Sequence, residues 1–306
     1  MARGSSSYTQ TFGSLANYKS TYQTISGVIN QAGVRTADTG QVNWASVATE
    51  NTTVGRDYEI FALGGPLQAT APIYLRFDYV GGSSTGNYGV HITVGTTTDG
   101  AGNLGGLTVA RLGLQNHALA TAPHTCWAAS DQASYFTFLF ALDTSATGSD
   151  GVGMVVVERT RDPGGSAIGA GFHVWRWYAT SAGGTANSGG WSRTFGAGSQ
   201  PAVADFTYNA MVPDLQNNTT AAQPGGLFYA FPAYTYTPPA TMGGASKALM
   251  FGYAADFLRG NAAPITHYGE EMTFIPLADA VGTLQPSMST GTTAVTKPLS
   301  PMIRWD

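Results

Sequence analysis

Charge is what this 306-residue chain has least of. Asp, Glu, Lys and Arg together make up 10% of it, against roughly 25% in an average globular protein. Lys19, Lys247 and Lys297 are its lysines, and the formal net charge is −4. There is no basic run and no arginine stripe with interleaved aromatics, which excludes a nucleic-acid partner held through phosphate contacts. Cysteine is nearly absent too. Cys126 stands alone, so no intrachain disulfide can form. It is expected as a small buried apolar residue in a chain made in a reducing cytosol. No run approaches the roughly 18 apolar residues of a membrane helix. The opening M-A-R-G-S-S-S-Y-T-Q-T-F lacks the apolar core of a secretory signal.

Small residues take the place of charge: 40 glycines, with abundant Ser, Thr and Ala. A free monomer keeps itself soluble through mixed surface charge. A chain this poor in it suits a subunit covered by neighbours.

The clearest pattern lies between Tyr58 and Gly106. Ile73, Leu75, Phe77 and Tyr79 alternate with Tyr74, Arg76 and Asp78; Tyr88, Val90, Ile92 and Val94 alternate with Gly89, His91 and Thr93. Period two with β-branched and aromatic residues predicts two strands, joined by the G-G-S-S-T-G-N loop. Further strands are predicted at Tyr135–Leu142, with Phe136, Phe138 and Phe140 on one face, at Gly151–Arg159 and at Gly171–Tyr178. Gly106–Leu114 reads as a strand or an irregular crossing. The second half gives strand signals at Trp191–Phe195, Val203–Tyr208, Leu227–Tyr236, Ala248–Tyr253 and Glu271–Leu277, with prolines that suit edge strands. One helix is predicted: Leu15, Tyr18, Tyr22, Ile25 and Ile29 share a face, and Gly33 supplies a stop.

Many short strands and one helix predict a mainly β fold, an antiparallel β-sandwich of jelly-roll-like form with a short N-terminal helix and extended terminal arms. The expected division is an N-terminal arm with the helix (1–55, mobile over 1–12), a sandwich body (56–280) and a C-terminal tail (281–306). A subdivision of the body is expected near 180–190. Met302, Ile303 and Trp305 are candidates to anchor the tail on a surface.

Several motifs resemble catalytic ones and fail on context. Gly82–Gly86 has the G-x-S-x-G spacing of a nucleophile elbow, but no helix follows it. Gly100–Gly105 has the G-x-G-x-x-G spacing of a dinucleotide loop, without a helix or a following acidic residue. Asp99 and Asn103 supply too few oxygens for calcium. His91, His117, His124, His173 and His267 share no ligand spacing. Glu158–Asp162 is the one dense charge cluster, expected as surface ion pairs or an inter-subunit contact. Asp143, Asp150, Glu158, Asp162 and Asp256 have no spacing that pairs them for glycoside chemistry, and Glu270 and Glu271 point to opposite faces of a strand. Asn51 and Asn217–Asn218 match glycosylation sequons and are expected as plain polar loop residues. No catalytic residue, cofactor site or metal site is therefore assigned. The residues of interest are aromatics: Trp175, Trp177, Tyr178 and Trp191 around the 180–190 loop, and Tyr234 and Tyr236 beside Tyr229 and Phe231. Core packing, a subunit interface and stacking on a glycan are the alternatives for them.

The order of segments carries a resemblance. Y-E-I-F-A-L, A-P-I-Y-L-R-F-D-Y and Y-G-V-H-I-T-V-G-T-T-T-D-G-A-G-N-L-G-G are followed by Y-F-T-F-L-F-A-L-D and M-V-V-V-E-R-T-R-D-P-G-G. Over residues 15–175 this is similar to uncharacterised virion structural proteins of tailed bacteriophages. The resemblance implies a non-enzymatic particle component of the tail, baseplate, collar or decoration type. It would be made in the host cytoplasm and located in the virion, with copies of itself and other virion proteins as partners. A carbohydrate-binding module or receptor-binding adhesin, contacting a host-surface glycan, is the alternative. Neither nucleic acid nor membrane insertion is expected.

Overall fold

Among the described residues of a computed structural model, the chain forms one α-helix, a short 3-10 helix at Pro66–Gln68 and twenty strands. The structure describes residues 1–9, 13–81, 89–105, 108–112, 123–142, 152–159, 171–178, 187–194, 230–237, 241–253, 262–267, 269–276, 287–290, 293–296 and 299–306. The order begins β1 (Ala2–Thr9), α1 (Leu15–Ala32), β2 (Val34–Arg35), β3 (Tyr58–Ala62), β4 (Tyr74–Val80) and β5 (Gly89–Gly95). Next come β6 (Thr97–Thr98), β7 (Leu104–Gly105), β8 (Thr108–Leu112), β9 (Pro123–Ser130), β10 (Tyr135–Leu142), β11 (Val152–Glu158) and β12 (Gly171–Tyr178). It closes with β13 (Asn187–Thr194), β14 (Ala230–Thr237), β15 (Thr241–Tyr253), β16 (Ala263–His267), β17 (Glu270–Pro276), β18 (Ser287–Thr290), β19 (Thr293–Thr296) and β20 (Leu299–Arg304).

All the described strand pairs are antiparallel. The first sheet runs β1-β9-β10-β11-β12-β13, the second β2-β3-β4-β5-β8 and the third β14-β15-β20-β17-β16. β6-β7 and β18-β19 are separate two-stranded hairpins. Most neighbours are consecutive in the chain, so the described connections are mainly meanders. The mainly β, antiparallel class expected from the strand pattern is the one the chain adopts.

The alternation seen in the sequence decides the packing. Leu75, Phe77 and Tyr79 of β4 and Val90, Ile92 and Val94 of β5 share one buried cluster with Phe136 and Phe138 of β10 and Val155 and Val157 of β11. Two sheets thus pack face to face, each contributing every second residue. Cys126 and Ala128 of β9 join the same cluster, which matches the buried apolar role expected of the cysteine. The opposite face of the first sheet meets the third. Thr137 Oγ1 donates to the Arg304 carbonyl at 2.8 Å, and Glu158 Oε2 accepts from the Lys247 backbone N–H at 2.9 Å. The first sheet is therefore the middle layer.

α1 begins at Ser14, whose Oγ accepts from the Asn17 N–H at 3.2 Å, satisfying one of the free donors of the first turn. Tyr18, Tyr22, Ile25 and Ile29 are buried along one face, as their spacing predicts. Gly33 ends the helix, though with φ −94° rather than in the left-handed region. Its need for glycine comes from packing: a Cβ there would lie 2.5 Å from the Phe61 ring.

Both expected arms are built into sheets. β1 pairs with β9 from Ala2↔Ser130 to Thr9↔Pro123, so a polar run gains its order from backbone pairing and not from apolar side chains. β20 lies between β15 and β17, with Met302 and Ile303 buried. These residues are core, not a surface anchor. The expected subdivision near 180–190 falls between β12 and β13, which pair from Gly171↔Thr194 to Tyr178↔Asn187. A domain boundary there would have to cut a hydrogen-bonded ladder.

Candidate functional site

Two polar nodes lie where α1 meets the second sheet, one built on an acidic residue inside β3 and the other on the acidic residue just before it. Glu59 of β3 is 1% exposed. Its carboxylate accepts from the Tyr79 hydroxyl at 2.6 Å and from Asn30 Nδ2 at 2.8 Å, and pairs with Arg35 at 3.1 Å. One helix residue and residues from β2 and β4 thus converge on one buried charge. Burial, and then the Glu59 charge, hold the Tyr79 phenol well above its ordinary pKa.

The second node is Asp57. Its Oδ2 accepts from the Tyr18 hydroxyl at 2.7 Å and from Arg56 at 3.1 Å, and its Oδ1 from Arg56 Nε at 3.2 Å. Arg56 also donates to Thr49 through Oγ1 and the carbonyl. Asn51 Nδ2 and the Tyr18 hydroxyl both donate to the Tyr79 carbonyl, at 2.7 and 3.0 Å. Asn51 is fully buried. It staples a strand end and is no surface loop residue, contrary to the expectation for that sequon. A cleft of about 330 Å³ opens beside the node, lined by Gln41, Asn43, Ser46, Thr49, Arg56 and Asp57 among others. Chemically the corner is a staple. Every Asp57 oxygen is engaged, and burial with the Asp57 hydrogen bond keeps Tyr18 protonated far above its usual range.

Tyr135 is the third such phenol, raised chiefly by burial and partly offset by Arg304. A folded pKa above the unfolded value of about 10 means the stability is intact below that pH and is lost as pH rises past it. Tyrosinate absorbance across an alkaline titration, followed together with circular dichroism, checks this. Tyr18, Tyr79 and Tyr135 are expected to ionise only as the fold opens. A single step with the fold intact would refute it.

The glycine-rich loop after β6 is a turn packed on the second sheet. Asp99 Oδ1 accepts from the Ala101 and Asn103 N–H groups at 2.8 and 2.9 Å, and Oδ2 accepts from Asn103 Nδ2 at 2.6 Å. These bonds, the Asn103 side chain's foremost, hold the Asp99 carboxyl below its usual value. They also occupy both of its oxygens. Gly102 has φ +106°, and a Cβ there would run into the Tyr58 hydroxyl. Arg76 lies over the Tyr58 ring at 3.8 Å, donates to the Gly102 carbonyl at 2.5 Å and pairs with Asp78 at 2.6 Å. The glycines serve this close approach, and β7, not a helix, follows them. The G-x-S-x-G stretch at 82–86 lies outside the described residues.

No protein-family model matches the chain, and comparison with curated proteins returns no match. The site must therefore be judged on its geometry. The sequence-selected aromatics fall on three strands: Trp175, Trp177 and Tyr178 on β12, Trp191 on β13, and Tyr234 and Tyr236 on β14. Register sets Trp191 across from Val174, Trp175 across from Gly190, and Tyr234 across from Ala245. β13 is the outermost described strand of the first sheet and β14 of the third, and these two edges lie against each other. The strand of Trp191 thus lies against the strand of Tyr234 and Tyr236, with the strand of Trp175, Trp177 and Tyr178 one place further in. Tyr229 lies outside the described residues.

The charge cluster behaves differently from its expectation. Glu158 and Arg159 are 1% and 3% exposed. Glu158 accepts from the Lys247 backbone, while Arg159 donates to the Ala133 carbonyl, to Gln68 Oε1 at 2.9 Å and to the Ala71 carbonyl at 3.1 Å. They clamp layers together and are not surface ion pairs, because the end of β11 is enclosed on both faces. Burial lowers the Arg159 pKa. Asp143, Asp150, Asp162, Asp256 and His117 lie outside the described residues. His124 is buried and stacks on Tyr8 with ring centroids 5.5 Å apart. Glu270 pairs with Lys247 at 3.5 Å at an exposed site. Among the described residues, no three His, Cys, Asp or Glu side chains gather as metal ligands. Nor is any helix among them long and apolar enough to cross a membrane.

Proposed function

We propose that this chain is a non-enzymatic structural subunit of a tailed-bacteriophage virion, most in keeping with the tail, baseplate or collar. It assembles there with copies of itself and neighbouring virion proteins. The observation that carries the reading is where the scarce charge goes. Of a chain only 10% charged, Asp57, Glu59, Asp78, Glu158 and Arg159 are buried as internal staples. Buried charges add nothing to the mixed surface charge that keeps a free monomer soluble, and a chain with so little charge to spare suits a subunit covered by neighbours. The resemblance over residues 15–175 supports the same reading. Proteomics of purified particles, with the mass of the isolated chain in solution, provides the test. The chain is expected in intact virions and as a multimer, and its absence from virions would sink the idea.

The aromatic strands favour a second reading, a glycan-binding adhesin. Bases for it are the Trp and Tyr residues gathered on β12, β13 and β14, since aromatic faces stack on sugar rings. Under it, Trp175→Ala and Trp191→Ala abolish host adsorption. Unchanged adsorption together with a blank glycan array would count against it.

A further inference from the structure

We propose, on the assembled-subunit reading above, that β20 is exchanged between copies of this chain. The Leu299–Arg304 strand of one copy fills the slot between β15 and β17 of the next. The partner is a second copy of the same chain.

Three observations carry this. The first is the slot. β20 pairs on one side with β15 (Leu249↔Ile303, Met250↔Met302) and on the other with β17 (Phe274↔Arg304, Ile275↔Ile303). Without it, both neighbours would present open hydrogen-bonding edges, which are templates for strand addition. Met302 packs against Met250, Met272, Phe274 and Ile265. The slot is one strand wide, has an apolar floor, and fits this sequence.

The second is the connection. Antiparallel neighbours are commonly joined by loops of about two to five residues. Here Pro276, the last residue of β17, pairs with Met302, yet residues 277–298 separate the two strands and include the β18–β19 hairpin. With that hairpin kept folded, residues 277–286 and 297–298 alone can span up to about 40 Å. That is about twice the radius of gyration of roughly 19 Å expected for a chain this long. A tight loop would pin β20 to its own β17; this one permits either slot. Exchange preserves every native pair, so it costs little.

The third is what β20 brings along. The Trp305 N–H donates to the Thr273 carbonyl at 2.8 Å, and Thr137 Oγ1 donates to the Arg304 carbonyl. The Tyr135 hydroxyl donates to the Asp306 carbonyl. Arg304 lies over the Tyr135 ring and Arg3 over Trp305. An exchanged β20 would therefore bind both the third and the first sheet of its host.

Disulfide trapping in a Cys126→Ala background tests the exchange, in concentrated protein and in purified particles. Chains carrying only Met250→Cys are co-expressed with chains carrying only Met302→Cys and oxidised. A band at twice the chain mass is expected, and deletion of 279–296, which leaves a tight four-residue connection between β17 and β20, is expected to abolish it. The double variant on one chain is the control for reach. Of two consecutive antiparallel pairs one is the closer kind and within disulfide range, so Leu249→Cys with Ile303→Cys repeats the measurement. No cross-chain band, with the double variant closing inside one chain, would overturn the exchange. The chain's absence from particles would sink the subunit reading alone. Presence in particles with only within-chain disulfides would sink the exchange alone.

Discussion

Phe77→Ala is expected to lower the free energy of unfolding by about 3–5 kcal/mol. Phe77 is fully buried and stands at the joint between the first two sheets. Its ring centroid lies 5.7 Å from Phe61, 5.7 Å from Phe136 and 6.0 Å from Phe138. The contacts with Phe61 and Phe138 are edge-on and that with Phe136 is tilted. Such pairs contribute about 0.5–1.5 kcal/mol each beyond the area they bury. Three strands, β3, β4 and β10, hold these rings, so a cavity here cannot close without moving one sheet against another. Against a typical total of about 5–15 kcal/mol, the loss is large. Denaturant unfolding measures it, with an unchanged m-value showing that the midpoint shift is a stability change. Leu67→Ala is the control. Leu67 is 43% exposed, and its truncation is expected to stay within about 0.5 kcal/mol. Similar losses for the two variants would mean that the sheets are not joined at Phe77.

Elements whose order comes from their own side chains could be read in advance. α1 shows its helical stripe from Tyr18 to Ile29 and its stop at Gly33. β4, β5, β10 and β12 show alternation within single segments. β1 could not be found this way, because A-R-G-S-S-S-Y-T carries almost no apolar pattern and is a strand only where β9 supplies the other half of the ladder. β20 was hidden by Pro301 in a Ser/Thr/Pro stretch, and its order depends on neighbours at both edges. The polar nodes were hidden for a related reason. Tyr18 and Asp57 are 39 positions apart, and Glu158 and the Lys247 backbone 89. Local spacing says nothing about such partners. One signal was available: an acidic residue inside an otherwise apolar strand, as in Y-E-I-F-A, implies a buried partner. The aromatic strands were half visible, since composition marked both clusters but only the packing of the sheets brings β13 against β14.

Glu59→Ala is the second large loss to expect, about 3 kcal/mol. Breaking a buried ion pair from one side costs about 3–5 kcal/mol when the remaining charge stays dry. Here Arg35 keeps 36% of its side chain exposed and can rehydrate, which removes part of that penalty. Tyr79 cannot, because it is fully buried, and an orphaned buried donor costs about 1–3 kcal/mol. Asn30 loses one acceptor but keeps the Ser26 carbonyl at 2.9 Å. The Tyr79 hydroxyl thus dominates the expected loss. Glu59→Gln separates charge from hydrogen bonding. It retains an acceptor for Tyr79 and is expected to cost about half as much, since hydrogen bonds to charged groups contribute about 1.5–3 kcal/mol against about 1 for neutral ones. It should also bring the Tyr79 pKa down, because the Glu59 charge is the second cause of its elevation after burial. The decisive measurement is the double-mutant cycle of Glu59→Ala with Tyr79→Phe. Removing both partners should cost less than the sum of the single losses, by about 1–2 kcal/mol, within the range found for groups in one network. Additive losses would mean that the carboxylate does not serve the Tyr79 hydroxyl, and that β3 and β4 are not joined through this pair.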